Sequence, residues 1–132
     1  MRYIASAVGN DRHDYVVRGR VVEWDARHVR TVEDVLAAWD AIQADHAVLG
    51  DSGLLIDNGE SEFDVPGGDV TRLAEAVASR LPKISAVAIV VSRSVHYGMA
   101  RQFQAFADRG RAAIQVFRDI ESARAWLAER TA

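Results

Sequence analysis

The side chains of this sequence with chemical potential are histidines, carboxylates, hydroxyls and guanidiniums, and their spacing decides which reactions are open. His13, His28, His46 and His96 form neither an HExxH pattern nor a His-x-His pair, and no carboxylate stands at helical spacing to complete a metal set. They read as surface or turn residues. The chain has no cysteine, which removes disulfides, thiolate zinc sites, iron-sulfur ligation and a thiol nucleophile together. A Gly-x-Gly-x-x-Gly fingerprint, a Gly-Lys-Ser/Thr phosphate loop and a Gly-x-Ser-x-Gly elbow are all missing. No metal and no cofactor are expected.

Two further stretches imitate chemistry without supporting it. Asp57, Glu60, Glu62, Asp64 and Asp69 gather oxygens as a calcium loop does, but Gly59 stands two positions after Asp57 and no bidentate Glu follows at the required distance. They read as a solvated loop and a helix cap. Asp51-Ser52-Gly53 reads as a turn entering a strand, because its serine has no base in sequence to activate it.

The segment with most potential runs from Ser92 to Arg101, between the end of an apolar strand and the start of a helix. In open α/β sheets, ligands bind at that edge. Ser92 and Ser94 supply hydroxyls, His96 a titratable ring, and Tyr97 and Arg101 lie one helical turn apart. Together they can hold a small anion or a partner's carboxylate. The plainer alternative is that Ser94 caps the helix, Tyr97 packs over the sheet edge and Arg101 pairs with a surface acid.

The elements that position these residues follow from periodicity. Tyr3 to Val8 and Tyr15 to Trp24 read as the arms of an antiparallel hairpin around Gly9, Asn10 and Asp11. Thr31 caps a helix running to about Ala47 with Val32, Val35, Leu36, Trp39 and Ile42 on its apolar face. Leu54 to Asp57 is a buried strand closed by Asn58-Gly59. Pro66, Gly67 and Gly68 interrupt the chain before Asp69 caps a second helix on Val70, Leu73, Ala74, Val77 and Leu81, stopped by Pro82. Val87 to Val91 is a β-branched run expected of a central parallel strand. Ser94 to Ala107 is helical, with Met99, Phe103 and Phe106 on one side and Gly110 as its cap. Ile114 to Phe117 forms the last strand, and Asp119 caps a final helix on Ile120, Ala123, Trp126 and Leu127, with the tail after Arg130 frayed.

This alternation predicts an α/β fold: a mixed sheet of about five strands, an antiparallel N-terminal hairpin and then parallel strands, with about four helices. At 132 residues, with 49% hydrophobic and 27% charged side chains, the whole of 1-132 reads as one domain. Lys plus Arg total 16 against 19 Asp plus Glu, a formal charge of -3, and no basic stripe is visible, so no nucleic-acid partner is expected. No apolar run approaches the length of a membrane span, and the mixed start lacks a signal-peptide core, so a cytoplasmic setting is expected.

The strand Ala86-Val87-Ala88-Ile89-Val90-Val91, the helix containing Tyr97-Gly98-Met99-Ala100-Arg101, the strand ending Val116-Phe117, and Glu121-Ser122-Ala123-Arg124-Ala125-Trp126-Leu127 together resemble the small bacterial SpoIIAA-like (STAS-like) proteins. The hairpin and Leu54 to Asp57 fit the same layout. The resemblance implies a sheet with helices mainly on one side, and a module that regulates or binds rather than catalyses. Anti-sigma antagonists of that kind carry a phosphorylatable serine after the strand matching Leu54 to Asp57. Here the place reads Phe63-Asp64-Val65-Pro66-Gly67-Gly68-Asp69, with no hydroxyl at the helix start. The expected function is a binding module that uses Ser92, Ser94, His96, Tyr97 and Arg101 for a protein partner or a small anionic or amphipathic ligand. The alternatives are a small hydrolase-like enzyme pairing His96 with Asp57 or Asp64, and a homodimeric structural module joined at the hairpin edge with Arg18, Arg20 and Glu23 as gatekeepers.

Overall fold

In the computed structural model, which describes residues 8–10, 13–59, 67–92, 94–107 and 112–131, strands and helices alternate after an antiparallel start. The order is β1 (Val8–Asn10), β2 (Tyr15–Arg18), β3 (Val21–Asp25), α1 (Val32–Ala44), β4 (Ser52–Gly59), α2 (Gly67–Arg80), β5 (Ile84–Val91), α3 (Ser94–Ala107), β6 (Ala113–Phe117) and α4 (Ile120–Arg130). The strands form one sheet in which spatial order equals chain order, β1-β2-β3-β4-β5-β6. β1, β2 and β3 pair antiparallel, and β3 through β6 pair parallel. The class is α/β with a mixed sheet and four helices, as periodicity predicts.

The predicted arm Tyr15 to Trp24 is two strands. Arg18 pairs with Val21 across a two-residue loop, and Gly19 in that loop has φ +60, a left-handed conformation that breaks the strand. The sheet therefore has six strands. Gly9 and Asn10 lie within β1, not in a turn, because Asn10 pairs with Tyr15. Tyr3 to Ala7, Asp11, Pro66 and Gly110 lie outside the described residues. β1 forms one sheet edge and covers Tyr15 to Val17 of β2, Glu23 lies on the interior strand β3, and Arg20 donates to the Gly50 carbonyl.

Local capping follows the sequence closely. Thr31 accepts from the Asp34 N–H at 3.1 Å and Asp119 from the Ser122 N–H at 2.8 Å, each satisfying a donor that a helix start leaves without a partner. α1 ends at Ala44, earlier than its apolar pattern suggests, because Asp45 is drawn away. Its carboxylate accepts the Tyr15 hydroxyl at 2.6 Å and the Ala47 N–H at 2.9 Å. α2 begins at Gly67, so Asp69 lies inside the first turn, where its charge suits the helix dipole.

An unreversed parallel order sends each right-handed crossover helix to the same face. There α1, α2 and α3 bury Leu36, Trp39, Ile42, Leu73, Val77 and Phe103 against Trp24, Leu54, Ile56, Val87 and Ile89. Trp39 reaches Phe103 with ring centroids 6.4 Å apart. α4 returns across the opposite face and seats Ala123 and Leu127 on Leu55, Ala86, Ala88 and Val90. Small residues allow this close approach: a Cβ on Gly53 would stand 2.9 Å from Leu127 Cδ2 and 3.1 Å from Thr131 Cγ2. The tail is accordingly held through Thr131, whose N–H and hydroxyl both donate to the Leu127 carbonyl.

The anchor of α4 is Leu127 and not Trp126. Leu127 is fully buried, whereas Trp126 is partly exposed, resting on Phe117 with centroids 5.8 Å apart and lying beneath the Arg130 guanidinium at 4.8 Å. Leu127→Ala is expected to destabilise the fold by about 2 to 5 kcal/mol, as large-to-small core substitutions do. Trp126→Ala is expected to do less, and urea-unfolding midpoints of the two variants check the order.

Candidate functional site

Because β3 to β6 run parallel, their C-terminal ends share one rim. On the α4 face the last complete row across it is Asp25, Asp57, Val90 and Phe117, each paired in register with the next. The neighbouring strands are about 4.8 Å apart, so the two carboxylates stand side by side. Each directly follows a buried apolar residue, Trp24 before Asp25 and Ile56 before Asp57.

Past Asp57 the ladder slips. Asp57 pairs with Val90 and Gly59 with Val91, leaving Asn58 as an extra residue without a partner on β5. Gly59 has φ +46 and is the hub of the rim. Its carbonyl accepts the Ser92 N–H at 3.1 Å and the Ser92 hydroxyl at 2.6 Å, and the Ser92 carbonyl accepts from Arg118 at 3.0 Å. The Arg27 stem lies over the same glycine, where a Cβ would stand 2.9 Å from Arg27 Cδ. Contacts from β3, β5 and β6 thus converge on the end of β4.

Charge along this rim is unevenly matched. Arg27 donates to both Asp25 oxygens at 2.8 and 2.7 Å, and Arg124 on α4 donates to both Glu23 oxygens at 3.0 and 2.9 Å. The bond from Arg27 holds the Asp25 carboxyl below its ordinary range. Asp57 has neither guanidinium within ion-pair distance. Burial pushes its carboxyl up, Asp25 adds to the rise, and the Arg27 charge and a hydrogen bond from the Gly59 N–H oppose it. A half-buried carboxyl raised in this way is a potential proton donor or acceptor.

The predicted segment meets this rim at one residue. Ser92 is exposed, but its hydroxyl is spent on Gly59. Ser94, His96 and Tyr97 occupy the first turn of α3, and their side chains lie outside the described set, as do Arg93 and the acids Glu60, Glu62 and Asp64. Arg101 is exposed on the second turn. The expectation of a crevice at these strand ends rests on a reversal of strand order, and the parallel part of this sheet has none. Ser52 lies at the opposite edge, buried and donating to the Leu49 carbonyl at 2.5 Å. Among the described residues no three candidate ligands gather for a metal. Sequence reasoning missed Asp25, Arg27 and Gly59 as rim residues; the available signal was an aspartate directly after a large apolar residue late in each of two successive strands, Trp24-Asp25 and Ile56-Asp57.

No protein family, curated protein or solved structure matches the chain.

Gly59→Ala is expected to destabilise the fold by about 1 to 2 kcal/mol from the left-handed backbone alone, with displacement of Arg27 in addition. Gly50→Ala, which meets nothing within 4 Å, is the control for the same urea titration. The two aspartates oppose each other in pH dependence. Asp25, lowered, contributes stability present above its ordinary value of 3.8 and lost as pH falls through its folded value. Asp57, raised, holds its proton more tightly when folded, so stability falls as pH rises from 3.8 through its folded value, and the penalty persists above it. Asp57→Asn is expected to raise Tm at neutral pH and to leave it unchanged in strong acid, checked by thermal unfolding across pH.

Proposed function

We propose that this protein is a non-enzymatic, STAS-like binding module whose protein partner sits on the strand-end rim and the adjoining first turns of α3. The candidate residues are Ser92 at the strand end and Ser94, His96, Tyr97 and Arg101 in α3, of which Ser92 and Arg101 are exposed. The observation that carries the reading is the closure of the rim, in which Gly59 takes both donors of Ser92 and Arg118 holds the Ser92 carbonyl. Strand ends tied in this way favour a ridge over a crevice. A small substrate needs a concave site that removes most of its surface from water, whereas a ridge is complemented by another protein's surface. The unreversed strand order supports the same reading. In this reading the module works in the cytoplasm, which suits a chain without cysteine. Among the described residues no helix is long and apolar enough to cross a membrane.

One observation favours a second reading, an acid/base enzyme. Asp57 is half-buried with its carboxyl pushed up, at the rim that also receives the start of α3 with His96. Loss of hydrolysis of a fluorogenic ester panel in both His96→Ala and Asp57→Asn would support it, and absence of turnover by the parent protein would dismiss it.

The binding reading is tested by native mass spectrometry followed by crosslinked capture of partners. The expected result is a mass free of small-molecule adduct, together with defined captured proteins depleted about tenfold or more by Tyr97→Ala combined with Arg101→Ala, as for an aromatic and arginine anchor pair. Circular dichroism of the double variant should match the parent. Undiminished capture would remove this surface, and an adduct lost on denaturation would replace the protein partner with a small ligand. Light scattering reports whether the partner is a second copy of the chain.

A further inference from the structure

We propose that the open edge of β6 is a self-association surface, at which a second copy of this chain adds its own β6 antiparallel about a twofold axis at Gln115. The sheet order ends at β6, so among the described residues this strand pairs with β5 alone. Edge strands are ordinarily blunted by charge, proline, a bulge or shortness. β1, at the other edge, is three residues long. β6 is five residues, Ala-Ile-Gln-Val-Phe, with no charge and no proline, and its ladder with β5 runs from Ala113 to Phe117 without a register shift.

The direction of its main-chain groups follows from one contact. Gln104 on α3 donates through Nε2 to the Ile114 carbonyl at 2.7 Å. α3 packs on one face of β5 and β6, and a carbonyl enclosed between two paired strands is closed to a side chain from above, so Gln104 reaches this one around the open edge. Ile114 therefore turns its main-chain groups away from β5, and by the alternation of a parallel ladder Val116 does the same. Pairing about Gln115 sets Ile114 opposite Val116 of the second copy, and Val116 opposite Ile114 of the second copy, as two hydrogen-bonded pairs. Gln115 then faces its own copy as the close, non-hydrogen-bonded pair between them. The Ile114 carbonyl has a second lone pair for the incoming N–H while Gln104 keeps the first.

Self-complementarity selects a second copy as the occupant. Across a twofold the residue on the axis meets itself, so a charge there would be repelled by its own copy. Gln115 is exposed, uncharged and carries an amide that both donates and accepts, so it can pair with itself. On the same face Ala113 stands opposite Phe117 of the second copy, and its small side chain leaves room for that ring and for the indole above it. Within each chain Trp126 rests on Phe117, both half-buried, with the Arg130 guanidinium over the indole. Aromatic residues and arginine are the types enriched at protein interfaces. Trp24 and Trp39 are buried at 3% and 2% exposure, which makes Trp126 the tryptophan that reports on this edge.

The test is sedimentation velocity of the full chain over a concentration series, with acrylamide quenching of tryptophan fluorescence read alongside. The expected result is a reversible monomer-dimer equilibrium, with quenching reduced as the dimer forms. Gln115→Lys and Gln115→Glu alter an exposed side chain and leave the core untouched. Each is expected to raise the dimer dissociation constant roughly fivefold by opposing like charges on the axis, and an equimolar mixture of the two is expected to restore association. A chain that stays monomeric up to about 1 mM, the range of the weakest complexes, would overturn the proposal. A dimer indifferent to both variants, or one that the mixture fails to restore, would also overturn it and assign self-association to another surface.

Discussion

The architecture depends on covering both faces of β4 and β5. A parallel strand in the middle of a sheet has no solvent face, so each of its side chains needs a partner layer. Leu54, Ile56, Val87, Ile89 and Val91 supply large side chains to the three-helix face, while Ala86, Ala88 and Gly53 make the other face shallow. That difference lets one helix close the second face. α4 sinks onto a bed of small residues and seals it with Ala123 and Leu127, both fully buried. Burying a leucine of this kind contributes about 1.5 to 3 kcal/mol, and here it also supplies the cover without which β4 and β5 would expose a face to water.

The rim grows from the same constraint. Ladder pairing keeps the four parallel strands in register as far as Asp57, and there the chain must leave the sheet to begin the crossover to α2. A bulge and a left-handed glycine accomplish the exit. The free carbonyl of that glycine then becomes the acceptor for β5, whose own end carries Arg118 from β6. Polar groups at the strand ends are therefore satisfied by one another, and Asp57, unlike Asp25 and Glu23, has no ion pair among the described residues.

Much of this fold was legible in the sequence, and the parts that were not share a physical origin. Val87 to Val91 declared a central strand because a β-branched run with no polar interruption suits burial on both faces. Thr31 and Asp119 declared helix starts because their side chains do local work, accepting from an N–H three residues on. Gly19 was unreadable as a strand break, since its neighbours Arg18 and Arg20 continue an alternating pattern; only pairing between Arg18 and Val21 reveals the loop. Trp126 shares its predicted apolar face with Leu127, but only Leu127 lands over the middle of the sheet while Trp126 rests on Phe117 of the edge strand, a tertiary outcome that spacing does not encode. The rim residues were hidden for a similar reason. Asp25 and Asp57 lie far apart in sequence and meet only through strand register.

Coincidence of chain order with sheet order bears on how the molecule assembles. Each strand finds its partner in the strand just made or the next to follow, so no ladder requires a distant segment to arrive first. The antiparallel pairs β1-β2 and β2-β3 close short loops, while each parallel pair must close a whole crossover, Val22 onto Leu54, Leu54 onto Val87 and Val87 onto Ile114, the slower kind of closure. The sheet can extend by accretion, as in stacked-repeat proteins where each unit touches only its neighbours. α4 is the exception. Its helix crosses back over β4 and β5 and follows β6 in the chain, so the middle of the sheet is locked only after its edge strand has been made.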